Sequence, residues 1–211
     1  NFSDPNIFGQ FGKNYTLNVY HEGDTLTASA KIPYPVAMDS LWFDPYAAYD
    51  DSLGIIKGNF KDPDTVGNCY RWFSKRINSY TYNYISPDGD TLCADKGKQK
   101  DDRFIAPIGS SVDDKLFNGL KFDFLLPRGE DGVLEGCDDE GEEEFLFKRG
   151  DTVVVKSTTT NYPVYLYVRA MENAAVSSGS PFSSSGNLPY NIDGDGIGIF
   201  YGYGSTYDTL I

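Results

Sequence analysis

Residues 145–176 decide the fold, and they read FLFKRGDTVVVKSTTTNYPVYLYVRAMENAAV. The first half is rich in β-branched residues over positions 152–158, which is typical of a strand. Gly150 and Asp151 supply a turn immediately before that run. The first half therefore predicts a β-strand that starts just after the Gly-Asp turn.

The second half predicts a helix near residues 162–176. Pro163 fits the first turn of a helix that Asn161 or Thr160 caps. Apolar residues then recur at helical spacing, at Val164, Val168, Met171 and Ala175. The alternation of tyrosine with aliphatic residues also permits a strand, but the Arg-Ala-Met-Glu-Asn-Ala-Ala run at 169–175 has little β propensity and favours the helix. Because most of the chain reads as β, we expect this helix to cover a sheet.

The composition predicts an all-β fold. Sixteen Tyr and fourteen Phe against two Met, with 22 Gly and 11 Pro, describe aromatic strands joined by tight turns. At 211 residues the chain is long enough to bury a core. We expect residues 1–211 to form one β-sandwich domain, immunoglobulin- or fibronectin-like in general style, with the one helix in its C-terminal half. The net charge of −13 would repel phosphate backbones, so nucleic acid is not an expected partner.

The clearest local signal is a hairpin over residues 15–32. Apolar residues alternate on both sides of a His-Glu-Gly-Asp turn at 21–24. Pro33 ends the second strand, because proline cannot donate to a sheet ladder. Further strands are predicted at 40–43, 55–60, 69–85 and 120–126.

Two polar excursions interrupt the strands, at residues 86–103 and 129–144. The first is mixed in charge, and the second concentrates acidic residues. These acids are Glu135, Asp138, Asp139, Glu140, Glu142, Glu143 and Glu144. Such a density of like charge repels itself, and loops of this length are usually functional or mobile. We therefore predict two mobile, solvated surface loops.

The sequence gives only weak evidence about export and about the redox state of the cysteines. No run of about 18 apolar residues exists, so no membrane-spanning helix is predicted. The chain begins without a basic segment followed by an apolar one, so we expect any export signal to lie upstream of residue 1 or to have been removed. Three free thiols and one disulfide are both compatible with the three cysteines. If a bond forms, we expect it to join Cys69 with Cys93, because Cys137 lies in the acidic excursion.

His21 is the only histidine, and it lies in the predicted hairpin turn. A Ser-His-Asp triad, a Cys-His pair or a His-ligated zinc site would have to use this side chain. We favour an exposed turn residue instead. Acidic residues are numerous, so the paired carboxylates that glycosidases use are an open alternative. Aromatic residues at strand spacing favour core packing over a platform for sugars.

Two segments are weak candidates for calcium. Asp193 and Asp195 resemble the start of an Asp-x-Asp-x-Asp-Gly loop, but the third oxygen ligand and the distal Glu are missing, which excludes an EF-hand. The intervening glycines favour a backbone with positive φ or close approach. The acidic excursion offers Asp138, Asp139 and Glu140, although clustered loop acids are more often simply solvated. We assign no cofactor, no catalytic residue and no metal beyond these weak candidates.

The order of several short motifs carries a resemblance that spans nearly the whole chain. The motifs are Tyr-Thr-Leu-Asn-Val at 15–19, Leu-Thr-Ala at 26–28, Ile32-Pro33, Asp62-Pro63 leading to Asn68, Tyr70 and Arg71, Asp114, Phe-Asn-Gly at 117–119, Gly-Asp-Thr-Val-Val-Val at 150–155, Tyr-Leu-Tyr at 165–167, Pro181-Phe182, and Asn191-Ile192 leading to Gly-Ile-Gly-Ile-Phe at 196–200. With these motifs the chain resembles a Bacteroidota family of envelope lipoproteins, domain of unknown function 4249.

The resemblance implies an exported protein, anchored through a lipidated cysteine near its true N-terminus, with a further immunoglobulin-like β domain ahead of residue 1. It also implies a surface-exposed place in the outer membrane and suggests a TonB-dependent outer-membrane transporter as partner. The family has no established catalytic residues, so similarity assigns none here. We therefore expect a non-enzymatic binding or accessory lipoprotein that assists nutrient capture through its two polar excursions. The open alternatives are a carboxylate-based glycan hydrolase and a structural or adhesive surface protein.

Overall fold

The computed structural model describes residues 9–45, 51, 53–78, 101, 103–129, 145–177 and 188–211. Within these ranges the chain forms eleven strands in three antiparallel sheets and one α-helix. The elements are β1 (Asn14–His21), β2 (Asp24–Lys31), β3 (Ser40–Pro45), β4 (Leu53–Lys61), β5 (Asn68–Asn78), β6 (Ser111–Asp113), β7 (Lys121–Leu126), β8 (Phe147–Lys148), β9 (Thr152–Asn161), α1 (Tyr162–Ser177), β10 (Ile192–Asp193) and β11 (Gly204–Leu210).

Two of the sheets face each other across the core. The front sheet has the strand order β3-β4-β7, with β8 also paired to β4, and the back sheet has the order β11-β9-β5-β6. Their inward side chains, with Phe117 from the connection between β6 and β7, form one apolar cluster, made of Ile56, Phe60, Tyr70, Trp72, Phe117, Phe124, Leu126, Phe147, Val153 and Val155. The predicted all-β sandwich is therefore confirmed.

Aromatic rings from both sheets meet in the middle of this core. Trp72 in the back sheet stacks on Phe124 in the front sheet, with ring centroids 4.5 Å apart and planes 10° apart. The ring centroids of Phe60 in the front sheet and Tyr70 in the back sheet are also 4.5 Å apart. Such pairs contribute about 0.5–1.5 kcal/mol beyond their burial. These central rings follow the interpretation that aromatic residues at strand spacing belong to the core.

The third sheet, the hairpin sheet, has the order β1-β2-β10. The predicted hairpin is confirmed, and its turn places Glu22 at φ 49° and Gly23 at φ 96°. Two consecutive positive φ values give the tight turn whose twist matches the flanking strands. β10 then joins β2 from the far end of the chain, with Ile192 opposite Ala28. That pairing was not predicted, because it joins residues with no local sequence relation.

The predicted helix is confirmed as α1, and it packs on β5, β6 and β9 of the back sheet. The Asn161 carboxamide oxygen accepts a hydrogen bond from the Val164 N–H at 3.3 Å, so Asn161 rather than Thr160 is the cap. The predicted apolar stripe is correct at Val164, which is buried, and wrong at Met171, whose side chain is 49% exposed.

A charged residue replaces the expected apolar one on the sheet side of the helix. Glu172 is buried, whereas Ala175 is exposed. The buried position tolerates the Glu172 carboxylate because Arg71 and the Gly109 N–H both donate a hydrogen bond to it, each at 3.2 Å. Two donors satisfy a buried carboxylate that would otherwise be costly.

The other strand predictions are confirmed with shifted ends. β3, β4 and β7 match the strands expected at 40–43, 55–60 and 120–126. β9 continues to Asn161, past the predicted end at 158. β5 is described as far as Asn78, and residues 79–85 of the expected long strand pair lie outside the described ranges.

Candidate functional site

Buried carboxylates in the described part of the chain share one feature, a hydrogen bond accepted from a backbone N–H. Asp62 accepts it from Gly119, Asp101 from Arg76, Asp114 from Gly67 and Asn68, Asp151 from Lys148, and Glu172 from Gly109. A charge-assisted bond of this kind repays part of the cost of removing a carboxylate from water. These acids tie loops to strands.

Among the described residues, the most enclosed cluster of charged side chains lies at the end of β5. We call it the loop base, and it consists of Arg76, Asp101, Arg128 and Asp151. Nη1 of Arg76 lies 3.3 Å from Oδ2 of Asp151, and the two residues are 1% and 4% exposed. The N–H of Asp101 donates to the Arg76 carbonyl at 2.9 Å, and Nη2 of Arg128 lies 4.0 Å from Oδ1 of Asp101. Removing one partner of a buried ion pair leaves the other charge uncompensated. We therefore expect substitutions in this cluster to destabilise the fold.

The loop base is also the place where both polar excursions leave and rejoin the sandwich. The bonds between Arg76 and Asp101 join the two ends of segment 79–100. The N–H of Arg128 donates to the Phe145 carbonyl at 2.8 Å, which joins the two ends of the second segment. Because Arg128 also pairs with Asp101, the ends of both segments meet at one site.

The predicted loop boundaries, 86–103 and 129–144, are too wide at these ends. Asp101 and Gly129 are both buried. A Cβ at position 129 would overlap the side chain of Ile105, so only glycine fits there. The remainder of the two excursions lies outside the described residues, apart from Arg103, and their predicted mobility stays a prediction.

A second feature is the helix crevice, a cavity of about 170 Å³ between the outer face of the back sheet, α1 and the segment that precedes β11. The residues that give it chemical character are Arg71, Phe73, Ser111, Lys156, Tyr201 and Tyr203. Arg71 and Phe73 form the part of the crevice that belongs to β5. Side chains alternate along a strand, so these two point away from the core that Tyr70 and Trp72 fill.

Two cations give the crevice a positive character within an acidic protein. Nη2 of Arg71 lies 3.2 Å from the Glu172 carboxylate, and its guanidinium lies 5.2 Å from the Phe73 ring centroid. Burial lowers the pKa of the Arg71 guanidinium, and the nearby Glu172 carboxylate opposes that shift. Nζ of Lys156 donates to the Tyr203 hydroxyl at 3.1 Å and lies 4.4 Å from the centre of that ring. Both cations thus rest on aromatic faces, which favour positive charge.

Cys69 lies on the same strand as Arg71, beneath the helix. The thiol is 1% exposed and free, and burial, with Asp113 and Asp114 adding, raises the pKa of Cys69 to about 12. A protonated, enclosed thiol is a poor nucleophile. Cys69 carries no disulfide here, and its expected partner Cys93, like Cys137, lies outside the described residues.

A larger concavity, about 780 Å³, is a shallow groove that is open to solvent along residues 35–37, 61–64 and 118–120. Its buried acid, Asp62, accepts hydrogen bonds from the Tyr70 hydroxyl and from the Gly119 N–H. Burial raises the pKa of the Tyr70 hydroxyl above its ordinary value, and the bond to Asp62 adds to that shift. Ligand sites usually enclose most of their ligand, so the open groove is a weaker candidate than the helix crevice.

His21 and the two calcium candidates that the structure describes are surface residues. The His21 side chain is 76% exposed, 3.9 Å from the Glu22 carboxylate, which confirms the turn interpretation. Asp193 and Asp195 are exposed, and Gly194 between them has φ 106°, as predicted for these glycines. The described residues contain no group of three or more His, Cys, Asp or Glu that could hold a metal ion. The other candidates, Asp138, Asp139 and Glu140, lie outside the described ranges.

Sequence reasoning missed the charged residues that organise both features. One signal was available for the loop base, since alternation in β5 places Arg76 on the same face as Tyr70 and Trp72. A cation at an inward position demands a buried partner. Asp151 was interpreted only as a turn residue, whereas its carboxylate is that partner. The helix crevice had no comparable local signal, because it forms between segments that are distant in sequence.

In the described ranges, no helix has the length and apolar character needed to cross a membrane. No curated protein and no solved structure matches this chain. One family model does match, and it covers residues 2–209, almost the whole length. The chain therefore belongs to the family described as Domain of unknown function (DUF4249).

Proposed function

We propose that this protein is a non-enzymatic binding or accessory lipoprotein of a Gram-negative cell envelope. It is held at the outer-membrane surface by a lipid anchor upstream of residue 1. Its partner is a TonB-dependent outer-membrane transporter, and its role is to assist nutrient capture. The observation that carries the proposal is the loop base, where the described residues that flank two long polar segments are bonded to one another on the sandwich.

A rigid scaffold with loops at one end suits recognition. Binding residues are concentrated on loops that a stable framework positions. The framework here is the aromatic core between two sheets, and the loop base holds the residues that flank segments 79–100 and 130–144. We expect the partner to contact both segments.

The charge of the two segments suggests what that partner surface carries. Residues 130–144 contain nine acidic residues and no basic one, whereas residues 79–100 contain three Asp and three Lys. The contact end is therefore acidic, and it suits a partner with a cationic surface. Charge of this kind accelerates encounter more than it tightens the complex, and salt screens it.

The buried carboxylates support a binding role over hydrolysis. A carboxylate-based hydrolase needs two acids that are free to reach substrate in a concave site. The five buried acids of the described residues instead bind backbone N–H groups, and Asp101, Asp151 and Glu172 also pair with arginines. They already have structural partners, which favours the accessory assignment.

The test is recovery of the partner from native outer membranes by the tagged, lipid-anchored protein. In a trimmed variant, short Gly-Ser linkers replace residues 86–99 and 130–143, so Asp101, Gly129 and Phe145 keep the loop base intact. We expect the transporter to be recovered by the parent protein and lost with the trimmed variant. The melting temperatures of the two proteins should be nearly equal, because the linkers spare the buried residues.

A charge variant separates steering from contact. In it, the acidic residues of 130–144 become Asn or Gln while the segment keeps its length. We expect slower association that no longer depends on salt, with dissociation little changed. Undiminished recovery by the trimmed variant would contradict the loop mechanism. Glycan or peptide hydrolysis that one carboxylate substitution abolishes without unfolding would contradict the non-enzymatic assignment.

A further inference from the structure

The helix crevice presents hydrogen-bond donors that nothing in the described chain accepts. Nε of Arg71 and the hydroxyl of Ser111 are both shielded from solvent and have no hydrogen-bond partner. The two residues lie opposite each other in the pairing of β5 with β6, and both line the same cavity. A buried donor without an acceptor is costly, and these two would be satisfied together by one acceptor group in the crevice.

The charge of the crevice indicates that this acceptor is an anion. Lys156 donates to the Tyr203 hydroxyl, and no carboxylate of the described residues lies within ion-pair distance of its ammonium. Among the described residues, Glu172 is the acid that pairs with Arg71, and its carboxylate is shared with the N–H of Gly109 and with Arg169. The lining therefore keeps an excess of positive charge, although the whole chain carries −13.

The shape of the crevice limits what accompanies the anion. Phe73, Tyr201 and Val168 supply flat or apolar walls. The volume of 170 Å³ is the share of about five or six water molecules in the liquid, so a single ring with one charged substituent is an appropriate size. A planar carboxylate also matches the fork of donors that a guanidinium offers.

We propose that the helix crevice is a binding site for a small carboxylate attached to a flat or apolar body, held by Arg71, Ser111 and Lys156. The carboxylate accepts from Arg71 Nε and from the Ser111 hydroxyl, and Lys156 neutralises its charge. The aromatic walls contact the body. This site lies apart from the loop base, and it goes beyond the proposed function without depending on it.

The test uses the ¹⁵N-labelled chain of residues 1–211, titrated with sodium benzoate and, separately, with benzamide. Benzamide has the same ring and nearly the same shape but no charge. We expect saturable shifts of the amide signals of Ser111 and Tyr165 with benzoate, and binding of benzamide about tenfold weaker. The loss of the charge-assisted bonds accounts for that difference.

Two variants and one matched control assign the effect to the crevice. Lys156→Gln should weaken benzoate binding about tenfold, because it removes the neutralising charge, and Ser111→Ala about threefold, because it removes one donor. Lys121→Gln removes the same charge from an exposed position on the front sheet and should leave benzoate affinity unchanged. Two crevice variants guard against a folding defect in either one.

Several results would overturn the proposal. They are the absence of saturable benzoate shifts, equal affinity for benzamide, and benzoate affinity that neither crevice variant changes. Inorganic phosphate that binds the crevice more tightly than benzoate would overturn the carboxylate assignment. Each of these outcomes leaves the membrane recovery experiment unaffected, so the two proposals fail separately.

Discussion

Arg71 and Arg76 lie on the same strand and face opposite sides of the back sheet. Both form ion pairs with a carboxylate, but the two pairs have different roles. Each pairs with a carboxylate that also accepts a backbone N–H: Glu172 for Arg71, and Asp151 for Arg76. Arg76 is closed in, with its side chain 1% exposed, while the Arg71 side chain is 26% exposed and borders a cavity. The closed pair fixes the base of two long segments. The open pair leaves donors available, which is what a binding site needs.

The largest expected effect tests the closed pair. Asp151→Asn keeps an oxygen for the Lys148 N–H but removes the negative charge beside Arg76. We expect it to lower the free energy of unfolding by about 3 kcal/mol, because a buried charge loses its partner. Urea unfolding measures the loss.

An exposed pair provides the control for that substitution. Asp44 and Lys57 are joined across β3 and β4, and their side chains are 38% and 32% exposed. Asp44→Asn should cost less than about 0.5 kcal/mol, since solvent screens the pair. Equal losses in the two variants would remove the distinction between an enclosed and an exposed pair.

The open pair should respond less. Glu172→Gln retains an acceptor for the Gly109 N–H but removes the charge that faces Arg71. We expect the free energy of unfolding to fall by about 1.5 kcal/mol, because the partial exposure of Arg71 lets solvent compensate the lost charge. The same urea titration gives the value. A loss as large as that of Asp151→Asn would mean that the crevice is as closed as the loop base.

The pH dependence of stability tests whether the Cys69 thiol, on the outer face of β5, is shielded from water. Burial holds the pKa of Cys69 at about 12 in the folded chain, above its ordinary value of about 9. Above pH 9 the unfolded thiol ionises and the folded one does not, so stability is present below pH 9 and is lost as the pH rises toward 12. Between pH 9 and pH 10 we expect a loss of about 1 kcal/mol.

The variant Cys69→Ala provides the reference for that titration. It should remove the extra pH dependence while keeping the fold, since alanine carries no titrating group. Urea unfolding of both proteins at pH 8, 9 and 10 isolates the thiol, because the buried Tyr70 hydroxyl affects stability only above its ordinary pKa of about 10. Parallel pH profiles would show that Cys69 is reached by water.

The smallest effect belongs to Lys156. Its ammonium rests on the Tyr203 ring and has no acid among the described residues to leave unpaired. Lys156→Gln should therefore change the free energy of unfolding by less than about 0.5 kcal/mol. Thermal melting beside the parent chain checks this. A large loss would make Lys156 a structural residue and weaken the contrast between the two arginines.

Local sequence patterns predicted the hairpin, β3, β4, β5, β7, β9 and α1, but they did not predict the short strands β6, β8 and β10 or the last strand, β11. The hairpin turn at Glu22 and Gly23, the β-branched run of β9 and the Asn161 cap all depend on neighbours along the chain. The aromatic composition likewise predicted the sandwich. What these patterns could not supply is which distant segments meet.

The site depends on such distant meetings. Arg71 comes beside Ser111 only because β5 pairs with β6, and Asp101 reaches Arg76 only after a long excursion. The exposure of Met171 has the same origin, because the sheet offers donors for Glu172 rather than an apolar surface at that turn of α1. Side-chain partners of this kind are fixed by tertiary structure and not by periodicity.

The central claim is that the partner binds the two segments that begin and end at the loop base. A photo-crosslinking residue, p-benzoylphenylalanine, placed at Phe145 in the lipid-anchored protein tests it directly in native outer membranes, since that side chain is 47% exposed beside Arg128. The control position is Tyr20, 77% exposed in the hairpin sheet. We predict a crosslink to a TonB-dependent transporter from Phe145 and none from Tyr20. A crosslink from Tyr20 with none from Phe145 would contradict the account.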